Sequence, residues 1–321
     1  MKPKIYVTRH LPEAAWDELA AACDVEIWDE EFPPPYELIT QQIKDKDGLI
    51  CLLTDQIDAN LMDQAPKLKV ISQVAVGYDN IDIAAAAERG IAVGNTPGVL
   101  TDATADFAFA LMLAAARCIG EAIDYVRAGK WQTWGLTLLL GQEIHGAALG
   151  IIGMGRIGQA MAKRARGFDM QILYHNPTRL PEVEEALGVE YREFADLLQE
   201  ADFVSLHVNL TPETRGLIDA SALQLMKESA VLINTARGPV VDPAALYWAL
   251  KNGLIAAAAL DVTDPEPLPP DDKLLALPNL IVAPHIASAT TSSRTLMAQM
   301  AVRNCLAGVQ GKPLPFPVNA V

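Results

Sequence analysis

Basic residues are scarce in this chain of 321 residues: 25 lysines and arginines stand against 40 acids, for a net charge of −15 and a pI near 4.7. Binding nucleic acid or an anionic bilayer needs a basic surface, so neither is expected as a partner. Cysteine is sparse as well. The four copies, Cys23, Cys51, Cys118 and Cys305, lie far apart and form no C-x-x-C, which argues against a disulfide framework and a zinc site and fits reduced thiols in a cytoplasmic protein. No metal is expected. The chain has no uncharged apolar window of the length a membrane span needs, and MKPKIYVTRH enters a strand at once instead of forming a signal sequence. Internal repeats and low-complexity linkers are also missing, so a soluble globular protein is expected.

What is present is a large apolar fraction, 51%, enough for two domains with cores of their own. Short apolar runs alternate with helical patterns along the first 99 residues: strands near 4–8, 24–28, 48–54, 68–76 and 91–96, with helices between them. This punctuation predicts a parallel sheet with helices on both faces. The rhythm resumes from residue 147, with strands near 148–152, 170–176, 202–208, 230–235, 255–262 and 279–284. A long helix over 290–309 and a proline-rich tail close the sequence.

Only the second half carries a phosphate turn. In LGIIGMGRIG, Gly153, Gly155 and Gly158 form G-x-G-x-x-G between an apolar strand and a helix. The first glycine permits a tight turn, the second lets a pyrophosphate approach the backbone, and the third lets helix pack on strand. With 21 glycines in the chain the spacing alone is weak, and it is the strand, helix and second strand around it that strengthen the reading. The phosphates would sit on the amides near Arg156 and Ile157, where the helix dipole favours negative charge.

NAD-binding turns commonly place an acid at the end of the second strand for the ribose hydroxyls. Here His175 and Asn176 stand there, followed by Thr178 and Arg179. A neutral amide removes the charge that would repel a 2′-phosphate, and the threonine and arginine are suited to binding one. NADP(H) is therefore preferred over NAD(H), unless Arg179 simply faces water.

Residues 100–129 read as one long helix that is apolar on nearly every face in its first half. Such a helix is buried all round. It would pack between domains, against a second subunit in a homodimer, or in its own domain core.

Three polar residues fall at or beyond strand ends, where open α/β sheets place their ligands: Arg237, Glu266 and His285. Hydride transfer to a 2-keto acid needs a cation for the carboxylate, an acid for the nascent alkoxide, and a group that holds that acid protonated. Arg237, His285 and Glu266 would fill these roles in that order. Taken singly, each could equally be a solvated turn residue or a satisfied structural one.

The blocks LGIIGMGRIG, NTARGPVVD, DVTDPEPLP and PHIASAT resemble the signature blocks of the D-isomer-specific 2-hydroxyacid dehydrogenases, and VGYDNID with GVLTDATADFAFALML is similar to their glyoxylate/hydroxypyruvate reductase branch. The resemblance runs from about Ile5 to Pro315. It implies two Rossmann-like doubly wound α/β domains with an interdomain cleft. Residues 1–99 would form the first part of the substrate-binding domain, 100–286 the dinucleotide-binding domain, and 287–321 a helix and tail returning to the first, with a dimer through the long helix.

The resemblance also assigns roles. His285 becomes the proton donor, Glu266 its partner and Arg237 the clamp on carboxylate and carbonyl, while the amides of Val76 and Gly77 hold the substrate carboxylate. Asp261 would meet the nicotinamide amide, Thr104 the nicotinamide ring, Thr235 and Ala236 the ribose, and Val208 with Pro212 the adenine side. His207 reads as a wall of the cofactor pocket. Trp134 could reach a substrate pocket across the dimer, although Leu136 departs from the branch's usual W-x-P.

Two further departures concern chemistry. Pro177 stands where NADP-using members often have arginine, leaving Arg179 as the phosphate ligand, and Ala287 replaces a frequent glycine. The activity implied is NADPH-dependent reduction of glyoxylate or hydroxypyruvate to the D-2-hydroxy acid. The alternatives are another D-2-hydroxyacid dehydrogenase, such as phosphoglycerate dehydrogenase without a regulatory domain, and a nucleotide-sensing corepressor-like protein.

Overall fold

The computed structural model describes residues 2–319. The chain forms two compact units, Met1–Leu100 with Ala289–Val321, and Thr101–Ser288.

The first unit alternates β1 (Lys4–Val7), α1 (Glu13–Ala22), β2 (Asp24–Ile27), α2 (Tyr36–Gln42), β3 (Gly48–Cys51), α3 (Ala59–Asp63), β4 (Val70–Gln73), α4 (Ile83–Glu88) and β5 (Ala92–Gly94). The strands pair in parallel in the order β2-β1-β3-β4-β5. Successive side chains of a strand point to opposite faces, so Tyr6, Leu49 and Ile71 enter one core while Ile5, Ile50 and Val70 enter another. The second core is closed by Ala298, Ala301 and Cys305 of the chain's last helix, α12 (Thr291–Val309). That helix rides low on the sheet because Gly308 has no side chain: a β-carbon there would lie 2.5 Å from that of Val70. The tail then shields the edge strand, with Val318 N donating to Val93 O at 2.7 Å and Asn95 N to Phe316 O at 3.2 Å.

The second unit begins with α5 (Thr101–Ala116) and α6 (Ile119–Arg127). There follow β6 (Ala148–Ile152), α7 (Arg156–Ala165), β7 (Gln171–His175), α8 (Pro181–Leu187), β8 (Glu190–Tyr191), α9 (Phe194–Glu200) and β9 (Phe203–Leu206). The unit ends with α10 (Ala220–Leu225), β10 (Val231–Asn234), α11 (Pro243–Lys251), β11 (Ala257–Leu260) and β12 (Leu280–Val282). Its parallel sheet has the order β12-β11-β10-β9-β6-β7-β8, which reverses direction between β6 and β9. A doubly wound sheet binds ligands outside the carboxyl ends of its strands at such a reversal. Both faces are buried: Leu149, Ile151, Val231 and Ile233 pack under α5 and α7, and Val204, Leu206 and Leu232 pack under α9 to α11. Each such side chain contributes about 2 kcal/mol of transfer free energy.

Two readings of the sequence change here. The stretch expected as one helix over 100–129 breaks at Cys118, which takes the left-handed conformation at φ 50°, and α6 departs from α5 at 62°. The returning chain causes the break. Gln142 N donates to the carbonyl of Ala116 at 2.8 Å, satisfying the end of α5 where another turn would otherwise follow. Nor is α5 buried all round: Asp102, Asp106 and Ala110 form an exposed line at helical spacing, and the two aspartates bind Arg164 of α7. Its apolar residues pack in the core of their own unit, so their burial is no evidence for a second subunit. The elements over 181–200 carry no readable period because the helices are only seven residues long.

Candidate active site

The glycine turn follows β6 at the point where the sheet order reverses. Gly153 takes φ +97°, and a β-carbon on it would lie 2.6 Å from the carbonyl oxygen of His207 and 3.0 Å from Val208 Cγ1. Only glycine lets the turn rest against the chain leaving β9. Gly158 packs α7 onto the turn, since its β-carbon would meet Gly153 O at 2.2 Å. Gly155 differs: nothing lies within 4 Å of where its β-carbon would be, so the backbone is open there for a ligand. The first intrahelical bond of α7 is Gln159 N to Gly155 O at 2.9 Å, which leaves the amides of Arg156, Ile157 and Gly158 at the head of the helix. After β10, at the same edge of the sheet, the Thr235 hydroxyl is buried without a hydrogen-bond partner among the described residues. A dinucleotide fits these features: its diphosphate has room and donors at the turn, and its ribose would supply the partner that Thr235 lacks.

Three loops at the carboxyl edge of the same sheet carry the polar residues. Asn234, the last residue of β10, is fully buried and folds the first loop back on itself: its Oδ1 accepts Ala236 N at 3.0 Å and its Nδ2 donates to Arg237 O at 2.9 Å. The next residue after Arg237 meets the second loop. A β-carbon at Gly238 would lie 1.8 Å from Thr263 O, so the two loops touch through backbone alone. Thr263 N in turn reaches Glu266 Oε2 at 3.3 Å, and Glu266 Oε1 lies 2.5 Å from His285 Nδ1.

His285 itself has φ 55°, a conformation uncommon for any residue but glycine. Asp261, at the end of β11, holds it there. Its backbone carbonyl accepts His285 N, and its two carboxylate oxygens accept Ile286 N and Ala287 N, all at 2.8 Å. Burial raises the pKa of this carboxyl while the two amides oppose the rise. With Nδ1 turned to a carboxylate, the imidazole presents Nε2 as its other proton-carrying atom.

Residues 109–287 match the NAD-binding domain of the D-isomer specific 2-hydroxyacid dehydrogenases. The glyoxylate reductase of Korarchaeum cryptofilum is 52% identical over 320 residues, 99% of this chain and 96% of the relative. The TT0316 protein of Thermus thermophilus superposes with a TM-score of 0.93 at 48% identity, covering 98% of this chain and all of that one. An NADPH-dependent glyoxylate/hydroxypyruvate reductase from Sinorhizobium meliloti, solved with NADP and malonate, superposes at 0.87 with 32% identity over the whole of both chains. The chain belongs to the D-isomer specific 2-hydroxyacid dehydrogenases.

As a member of that family this 2-hydroxyacid dehydrogenase is an NAD(P)-dependent oxidoreductase. Among its remaining candidate residues, Thr104 is buried in the first turns of α5. Ala236 is buried beside Thr235, Val208 is half-buried and Pro212 is exposed on the loop after β9. In the other unit, Val76 and Gly77 follow β4, and their carbonyls accept Asn95 Nδ2 at 2.8 Å and Gln73 Nε2 at 3.3 Å. His207 donates to or accepts from Ser205 Oγ through Nε2 at 2.9 Å, and burial pushes its pKa down to about 4, as suits a neutral wall residue.

The family's ribose position is where the structure departs most from the sequence reading. Asn176 does stand at the end of β7, but its Oδ1 accepts Met154 N at 2.8 Å, so part of this side chain braces the glycine turn. Thr178 is exposed. Arg179 pairs with both carboxylate oxygens of Glu184, at 2.8 and 2.7 Å, so the cation read as a phosphate ligand already has a counter-charge. Sequence reasoning also missed Asn234. An amide closing the apolar run VLIN was its one available signal, since a buried polar side chain must bond to something nearby.

Proposed function

We propose that this dehydrogenase reduces glyoxylate, and hydroxypyruvate as a second substrate, to the corresponding D-2-hydroxy acid, with NADPH as the favoured cofactor. The glyoxylate reductase relatives and the NADP complex of the Sinorhizobium protein support the substrate and cofactor. The observation that carries the chemistry is the contact of His285 Nδ1 with Glu266 Oε1 at 2.5 Å, on a loop joined through Gly238 and Thr263 to the one bearing Arg237.

When bound, the reduced nicotinamide supplies a hydride to C2 of the keto acid. Arg237 holds the substrate carboxylate and polarises the carbonyl. Imidazolium His285 transfers its Nε2 proton to the oxygen that gains charge as the C=O bond becomes C–O. Glu266 keeps Nδ1 protonated and steadies the charged ring. Asp261 fixes the His285 loop and would meet the nicotinamide amide. The amides of Arg156 and Ile157 would hold the diphosphate, Thr235 and Ala236 would flank the ribose, and Val208 with Pro212 would border the adenine. Proton and hydride together give the alcohol, so no further reactant is needed.

The chain also exposes apolar residues around α6 and the loop after it, among them Ile123, Val126, Trp131, Trp134, Leu136 and Leu140. A patch of this kind is rare on a monomer, and we assign it to a second copy of the chain in a homodimer.

The test is a side-by-side assay of both keto acids with both cofactors. Loss of nicotinamide absorbance on adding glyoxylate, faster with NADPH, is the expected result. Failure of either cofactor to be oxidised by either acid refutes the assignment.

A further inference from the structure

We propose that Glu184 is a specificity-determining residue, which by clamping Arg179 competes with the 2′-phosphate of NADP(H) and so sets how strongly the enzyme distinguishes the two cofactors. The inference rests on the cofactor reading above and concerns a residue that touches the phosphate only through Arg179.

An exposed ion pair is ordinarily worth little, because two long side chains must be ordered to make it. This one is ordered from beneath. Tyr174, on β7, is fully buried, and its hydroxyl donates to Glu184 Oε1 at 2.7 Å while accepting Leu180 N at 2.7 Å. The phenol thus ties together the strand end, the residue following Arg179 and the helix that bears Glu184. Glu184 keeps only 17% of its side chain exposed although it lies on a surface helix. Above it, the guanidinium makes two parallel bonds to the carboxylate and lies 6.0 Å over the ring of Tyr191. Hydrogen bonds from Arg179 and Tyr174 lower the pKa of Glu184 to about 2, so the carboxylate is charged throughout the neutral range.

The consequence is electrostatic. A 2′-phosphate arriving beyond β7 brings nearly two negative charges to a guanidinium already neutralised by a bidentate partner. Glu182 and Glu185 on the same helix add repulsion. Arg179 can serve the phosphate fully only by leaving Glu184, and that exchange lowers the affinity for NADP(H) without affecting NAD(H), which lacks the group.

Calorimetric titration with adenosine 2′,5′-bisphosphate and with 5′-AMP isolates this step from catalysis. Glu184→Gln keeps an acceptor for Tyr174 but removes the charge. It is expected to tighten the bisphosphate about tenfold, the value of one charge-assisted bond released to the ligand, and to leave 5′-AMP within about twofold. Arg179→Ala added to Glu184→Gln should abolish that gain, and KM for NADPH should fall in the single variant while kcat and KM for NADH hold. An unchanged bisphosphate affinity, an equal gain for both ligands, or a gain that survives loss of Arg179 overturns the proposal. If Glu184→Gln does not fold, Tyr174→Phe loosens the same carboxylate and must shift the bisphosphate in the same direction by a smaller factor. Absence of 5′-AMP binding to the native protein would instead remove the cofactor reading itself, and this inference with it.

Discussion

Gly238 and Thr263 are in direct backbone contact: a β-carbon on the glycine would overlap the threonine carbonyl, at 1.8 Å. This contact joins the loop of Arg237 to the loop of Glu266. Backbone atoms cannot rotate away as a side chain can, so Gly238→Ala must push the loops apart. We expect a loss of about 3 kcal/mol in unfolding free energy and a fall in kcat/KM of about a hundredfold or more. Denaturant unfolding and steady-state kinetics measure the two, and an alanine variant with native kinetics would show that the loops need no such contact.

At His285, activity and stability should separate. His285→Ala should lower kcat about a hundredfold or more by removing the proposed proton donor. His285→Asn should be as inactive yet melt higher than the alanine variant, because asparagine tolerates the left-handed region and alanine does not. Turnover of His285→Ala close to that of the native enzyme would contradict the role.

Asp261 offers both carboxylate oxygens to amides, Ile286 N and Ala287 N. Asp261→Asn turns one acceptor into a donor that faces an N–H. The expected cost is about 2 kcal/mol of stability together with a reduced kcat, as His285 loses its fixed position. A melting temperature equal to that of the native protein would show the loop to be held by other means.

His207 supplies a pH dependence of stability rather than rate. Burial lowers its pKa from 6.5 to about 4 in the folded chain. Between these values the unfolded chain binds a proton that the folded chain refuses, so stability falls as pH drops through this interval and is fully present above it. Thermal melts at about pH 7 and about pH 5 should show a smaller acid-induced drop for His207→Gln than for the native protein. Equal drops would place the acid sensitivity elsewhere.

The proposed dimer is checked by sedimentation. Replacing Leu136 and Leu140 with aspartate should leave the fold intact while converting dimer to monomer. A native protein that sediments as a monomer at all concentrations would leave the patch to another partner.

Much of this was readable in one dimension because it depends on neighbours along the chain. Alternating apolar runs and helical periods announce two parallel sheets, and G-x-G-x-x-G between strand and helix marks its own turn, since the close contacts of Gly158 come from Gly153 and Ile151, a few positions away. Arg237, Glu266 and His285 were visible as polar residues closing apolar strands. The break at Cys118 was not, because it comes from a bond to Gln142 that returns from a distant loop. The stretch over 100–129 reads in its first half as apolar on nearly every face, yet Asp102, Asp106 and Ala110 are exposed, since its small residues hide which face is wet.

The order and polarity of residues thus determined the fold class and which strand ends carry the candidate residues, because backbone geometry converts residue period directly into faces and edges. Only the tertiary structure decided what each polar group is bonded to. It gave Arg179 to Glu184, turned Asn176 toward Met154, and made Asp261 the anchor of the His285 loop. Hydrogen bonds and ion pairs depend on distances of a few ångströms between segments far apart in sequence, and such distances are set only when the sheets have closed.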